Sequence, residues 1–239
     1  FVEVIRHVLR HDVDLVVKGA EPLAGHRPLL FASTDQHLLR KCPCPVWLRM
    51  PGARTRPRTI LAAVDVDDWD ASEPETLADL NRRVIETALR LGGGADSVVH
   101  VVHAWEAVGE GMVWTFAAGH NPRAAAESYI DEVESTRRRS LAGLVRPFAA
   151  GRGAGAPRLH ERLARGPARS VIPEQAREVS ADVIVLGTVA RTGLRGIIIG
   201  NTAEDVLNTV DCSVVAVKPA GFVSPVGSDG REVRPLVLP

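Results

Sequence analysis

Apolar residues in this chain fall into two kinds of run. Continuous apolar stretches occur at residues 60–64 (ILAAV), 97–105 (SVVHVVHAW), 182–186 (DVIVL) and 213–217 (SVVAV). Short runs without polar alternation predict strands buried on both faces. Between them the spacing turns helical. Leu77, Leu80, Val84, Ala88 and Leu91 mark one face of a helix from Pro74, which Gly92-Gly93-Gly94 stops. Residues 124–148 form a long amphipathic helix, and 171–179 and 202–209 form shorter ones. Leu159, Glu161 and Leu163 alternate with His160 and Arg162, the pattern of a half-exposed edge strand. Five strands joined by helical crossovers predict an α/β fold, an open parallel sheet with helices on both faces. Such sheets bind ligands beyond the carboxyl ends of their strands, where the strand order switches direction.

The chain also repeats itself. Residues 1–52 lie on 169–220 at a constant offset of 168, with ten identities between positions 14 and 51. Gly19 falls on Gly187, Gly25 on Gly193, Cys44 on Cys212 and Pro51 on Pro219. The expected organisation is the last third of a first copy (1–52), a linker (53–57), a complete second copy (58–220) and a Gly/Pro/Ser-containing tail (221–239).

Composition narrows the class. Of 239 residues 45% are apolar and 24% charged, with 29 basic and 29 acidic side chains. That is the balance of a globular domain, and zero net charge gives no overall field to hold nucleic acid or an anionic membrane. No apolar run is long enough to span a bilayer. Three cysteines do not make a disulfide scaffold and fit a reducing compartment. The first residue is Phe, and no basic-then-apolar signal segment follows it.

Candidate chemistry gathers at the predicted carboxyl ends. Asp65 ends the first strand of the complete copy. Gly187 and Thr188 end the fourth, and the loop after them opens a helix near Gly200, Asn201 and Thr202. Free backbone N–H groups at a helix start attract anions, and glycine lets a phosphate approach. The plainer alternative is that these glycines only make turns and that Asp65 is an ordinary polar strand end. His103, near the end of the second strand, edges the same pocket, whereas His100 faces away from it. Asp67, Asp68, Asp70 and Glu73 read as a solvated loop capping the Pro74 helix. His7 and His11 read as a solvated helix face. Cys42-Pro43-Cys44 lacks the second ligand pair of a zinc site, and the match of Cys44 to Cys212 points to packing. Trp105, Val108, Met112 and Trp114 either wall an apolar ligand pocket or pack in the core. No Ser-His-Asp order, HExxH, G-x-S-x-G or GxGxxG is present, and no metal site is assigned.

These features together resemble the universal stress protein family in its tandem form. The resemblance rests on Val64-Asp65, the VVHVVHAW and ADVIVLGT strands, the block from Gly200 to Gly221, and GAEPLAGHRPLLFASTDQHLLRKCPCPVWL in the first copy. It implies an adenine nucleotide alpha hydrolase-like sheet in the order 3-2-1-4-5. Nucleotide-binding members carry Gly, two residues, Gly, nine residues, Gly, then Ser or Thr. This chain has Gly187, Ala190, Gly200 and Asn201 at those places, so two of four depart. The first copy has Gly19, Pro22, Ala32 and Ser33. Pro22 lacks an N–H and Ala32 adds a Cβ, so that copy is not expected to bind ATP in the family's manner. The resemblance implies a non-catalytic, cytoplasmic stress-response protein that binds a small ligand or a partner. The alternative it implies is an ATP switch with magnesium and weak hydrolysis, with Asp65 on the ribose and Gly187, Gly200, Asn201 and Thr202 on the phosphates. Family domains commonly meet along their fifth strands. The corresponding expectation is pairing, within the chain or as a homodimer, through Pro45 to Leu48 and Ser213 to Val217.

Overall fold

A computed structural model describes residues 1–21, 33–67, 73–116, 121–150, 152–188 and 200–227. The first copy supplies α1 (Val2–His11), β1 (Val16–Gly19), α2 (Ser33–Lys41) and β2 (Val46–Arg49). The second supplies β3 (Thr59–Ala63), α3 (Pro74–Gly92), β4 (Val98–Trp105), α4 (Glu110–Phe116) and α5 (Pro122–Ala149). It continues with β5 (Arg158–Arg165), α6 (Ala168–Glu178), β6 (Val183–Gly187), α7 (Asn201–Leu207) and β7 (Ser213–Val217).

The strands form one sheet in the order β1-β2-β7-β6-β3-β4-β5. Counted within the second copy, the five parallel strands run 3-2-1-4-5. The sheet has seven strands rather than five because β2 lies antiparallel to β7, with Val46 opposite Ala216, Trp47 opposite Val215 and Leu48 opposite Val214. β1 then adds parallel to β2. All five β7 residues are buried, so a bare β7 edge would expose an apolar strand, and β2 covers it. At the other edge β5 exposes Arg158, His160, Glu161 and Arg165, while the half-buried Arg162 donates to Gln175 of α6 at 2.7 Å.

Successive side chains point to opposite faces of the sheet. Leu61, Ile184 and Val214 pack on one face against Leu38 and Leu39 of α2, Ile172 of α6 and Val206 of α7. Ile60, Val185 and Val215 pack on the other against Leu80, Val84 and Ile85 of α3 and Leu141 and Val145 of α5. The first face draws its core from both copies. Helix α3 starts with Pro74 in its first turn and ends at Gly93, whose φ of 68° suits glycine. Asn121 caps α5 by accepting from the Ala124 N–H at 3.3 Å. All the second-copy strands point their carboxyl ends one way, and β3 and β6 are neighbours there.

Candidate functional site

Asp65 follows β3 and is held by its backbone. Asn81, on α3, accepts from the Asp65 N–H at 2.9 Å and donates from Nδ2 to the Asp65 carbonyl at 2.5 Å. Both backbone groups of Asp65 are thus paired with one buried amide, and its half-buried carboxylate projects from a fixed frame. That carboxylate accepts from the Asp67 N–H at 3.1 Å. His103, on β4, is 1% exposed. Its Nδ1 lies 3.3 Å from the Val64 carbonyl and 3.4 Å from the Val66 N–H, and its Nε2 lies 3.8 Å from Asp67. Burial pushes the His103 pKa down, against the pull of Asp67 and Asp65, so the ring is held neutral. Ligand atoms of Asp65, Asp67 and His103 lie within 4.8 Å of one another, close enough to share a cation. Asp67 is already ion-paired with Arg137 of α5, which supplies positive charge there. This corrects the reading of Asp67 as a solvated residue. Asp68 and Asp70 lie outside the described residues, and the Glu73 carboxylate accepts from the Thr76 hydroxyl at 2.9 Å. The cluster joins two carboxylates, an imidazole and a guanidinium, and contains no hydroxyl or thiol nucleophile.

The neighbouring strand ends are closed by packing. A Cβ on Gly187 would sit 2.5 Å from Leu80 Cδ2 and 2.8 Å from its Cγ, so glycine is required there by α3. We expect Gly187→Ala to cost about 1–3 kcal/mol through overpacking. Chemical denaturation checks this, and pairing the change with Leu80→Ala should restore part of the loss. Thr188 is fully buried, and its hydroxyl accepts a hydrogen bond from Lys218, which directly follows β7.

The model of the universal stress protein family matches residues 2–48 and 58–218. The chain belongs to the universal stress protein family. It is 31% identical over 214 residues to a universal stress protein E homolog of Haemophilus influenzae, covering 89% of this chain and 64% of that one. It is 30% identical over 233 residues to universal stress protein E of Escherichia coli, covering 97% and 69%. A functionally unknown protein of Pseudomonas aeruginosa superposes with a TM-score of 0.67 at 29% identity, covering 91% of this chain and 67% of that one. The chain therefore spans about two thirds of the length of these relatives.

Within the universal stress protein fold the two copies treat the same place differently. Position 203 in the second copy matches position 35 in the first. Asp35, in the first turn of α2, is 0% exposed. Its carboxylate accepts from the Glu21 N–H at 2.9 Å and pairs with Lys18 at 2.9 Å. The first copy thus places its own carboxylate at the start of α2. In the second copy Ala203 stands there, 6% exposed, and the acidic residue of that first turn is its neighbour Glu204, which pairs with Arg40 of α2 at 2.5 Å. Helix α7 begins at Asn201 after Gly200, whose carbonyl accepts from the Glu204 N–H at 3.0 Å. Thr202 is exposed on that first turn. Ala190, Pro22 and Ala32 lie outside the described residues.

The structure brings Asp65 and His103 together and adds Asp67 and Arg137. Arg137 lies in an arginine-rich stretch of α5 with nothing in its spacing to mark it. Asn81 does leave a signal: it is an amide on the apolar face of α3, beside Leu77, Leu80 and Val84. Of the proposed apolar wall, Trp105 is 3% exposed beneath the Arg165 guanidinium. Val108, Met112 and Trp114 are exposed.

Proposed function

We propose that this chain is a non-catalytic, cytoplasmic stress-response protein that holds a small ligand in the crevice at the carboxyl ends of β3 and β6. The observation that carries this reading is Asp65, fixed through both backbone groups by Asn81 at the strand-order switch, with its carboxylate gathered beside Asp67 and His103. Open parallel sheets bind ligands at that switch. Among the described residues the polar cluster beside it holds no hydroxyl or thiol, which supports binding without chemistry. Gly187 and Thr188 are taken up by packing, so ligand contacts fall to Asp65, His103 beneath it, and the α7 start at Gly200, Asn201 and Thr202.

A second reading is an ATP-binding switch with magnesium. The exchange of Asp35 for Ala203 favours it, because the second copy has no carboxylate of its own where the first does. Asp65 and Asp67 would supply the oxygens nearest a magnesium ion. Calorimetric titration with ATP and magnesium separates the two readings. Weak or absent binding by the native chain supports the first. The double change Ala190→Gly with Asn201→Ser, which restores the family loop, should tighten binding under the second. No gain from that pair would remove the ATP reading.

A further inference from the structure

We infer that Cys42 and Cys44 are an oxidisable dithiol, closed by peroxide to an intrachain disulfide at the seam between the two copies. The two sulfurs lie 3.6 Å apart. They stand in the short segment between α2 and β2. Because β2 runs antiparallel to β7 from the Val46–Ala216 pair, this segment lies beside the residues that follow β7. The first of these is Lys218, which is 2% exposed. Its ammonium has the Thr188 hydroxyl as a hydrogen-bond partner and the Phe222 ring 4.9 Å away. Its charge also reaches Cys42. A buried cation beside a thiol favours the thiolate, the reactive form.

The two sulfurs are inequivalent. The Cys44 S–H and the Lys218 ammonium pull the Cys42 pKa down, whereas its hydrogen bond to Cys42 and burial push Cys44 up. The pair therefore shares one proton, which Cys44 holds while Cys42 carries the charge. Cys42 is fully buried and Cys44 half-buried, so a small oxidant reaches the Cys42 thiolate from the Cys44 side. The repeat supplies an internal control. Cys212 matches Cys44, but Val210 stands where Cys42 would be. Cys212 has its pKa pushed up to about 12, chiefly by burial.

The chemistry balances with hydrogen peroxide as oxidant. The Cys42 thiolate attacks one peroxide oxygen, the O–O bond breaks, and the departing hydroxide takes a proton from solvent and leaves as water. Cys44 then attacks the Cys42 sulfenic sulfur, the S–O bond breaks, and the leaving hydroxide takes the Cys44 thiol proton to form a second water. Two thiols lose two electrons and one peroxide gains them.

The test treats the whole chain with peroxide, alkylates the remaining thiols in denaturant and reads intact and peptide masses. The expected result is a loss of about 2 Da, with Cys42 and Cys44 both protected and Cys212 still alkylated. Cys44→Ser should abolish that loss while keeping the native circular dichroism. Lys218→Met, which removes a positioning charge, should slow closure roughly tenfold at pH 6, where Lys218 holds its proton, and progressively less above pH 7, where the folded native chain loses it. Three alkylatable thiols after treatment, oxidation of either cysteine without the 2 Da loss, or Cys212 reacting as fast as the pair would overturn the inference. So would a Lys218→Met rate and pH profile equal to those of the native chain.

Discussion

Replacing Lys218 by Met should make the protein more stable at pH 6 and remove a rise in stability that the native chain shows between about pH 7 and 10. Lys218 is buried behind the end of β7, and desolvation pushes its pKa down to about 7 from an ordinary 10.5. Below pH 7 both the folded and unfolded chains hold the proton, so the full cost of burying an ammonium is present. Between the two pKa values the unfolded chain keeps a proton that the folded chain has lost. Stability therefore climbs with pH across that window, by on the order of 4–5 kcal/mol when complete. The negative charge that Cys42 places nearby opposes the shift, so burial alone would push Lys218 lower still. Met fills the same volume without the charge, and the Thr188 hydroxyl keeps the Val217 carbonyl at 3.5 Å. Urea denaturation of both proteins at several pH values reads the difference directly and cancels titrations they share. Parallel curves would mean that Lys218 keeps its proton when folded.

Asp35→Ala should destabilise the first copy by about 2–3 kcal/mol. Asp35 is fully buried, pairs with Lys18 and accepts from the Glu21 N–H. Removing one partner of a fully buried ion pair costs about 3–5 kcal/mol because the other charge is stranded. Lys18 softens this, since a quarter of its side chain reaches water and it also pairs with Glu21 at 2.6 Å. Chemical denaturation of the native chain, Asp35→Ala and Asp35→Asn at pH 7 checks this. A loss in Asp35→Asn, which keeps the size but not the charge, much smaller than in Asp35→Ala would point to packing rather than charge.

The strands of the second copy were legible because each is a short run that must be covered on both faces, and β5 because its alternation marks an edge. Helix ends drifted by one to three residues, as at α6, where the chain turns helical at Ala168 before its apolar stripe begins at Val171. Helix α4 left no signal. It is seven residues long, and its Met112 and Trp114 stay exposed, so no buried stripe announces it. At the candidate site the sequence pointed to Asp65 and His103, which follow or end strands. It did not point to Arg137, Lys218 or Asp35. Arg137 and Lys218 take their roles from long-range juxtaposition, α5 over the β3–β4 ends and β7 against the first copy, and Asp35 from its meeting with Lys18 and Glu21 within the first copy. Gly187 shows the reverse case, a residue of the resembled phosphate motif whose lack of a Cβ also suits the packing of Leu80 from α3.

On the proposed reading a ligand sits beside Asp65 and is not transformed there. Native mass spectrometry of the purified chain and of Asp65→Ala, before and after incubation with ATP and magnesium, decides this. The expected result is a small-molecule adduct on the native chain that Asp65→Ala loses, with no conversion of ATP to ADP over the incubation. An adduct unchanged by Asp65→Ala, no adduct under any condition, or steady release of ADP would contradict it.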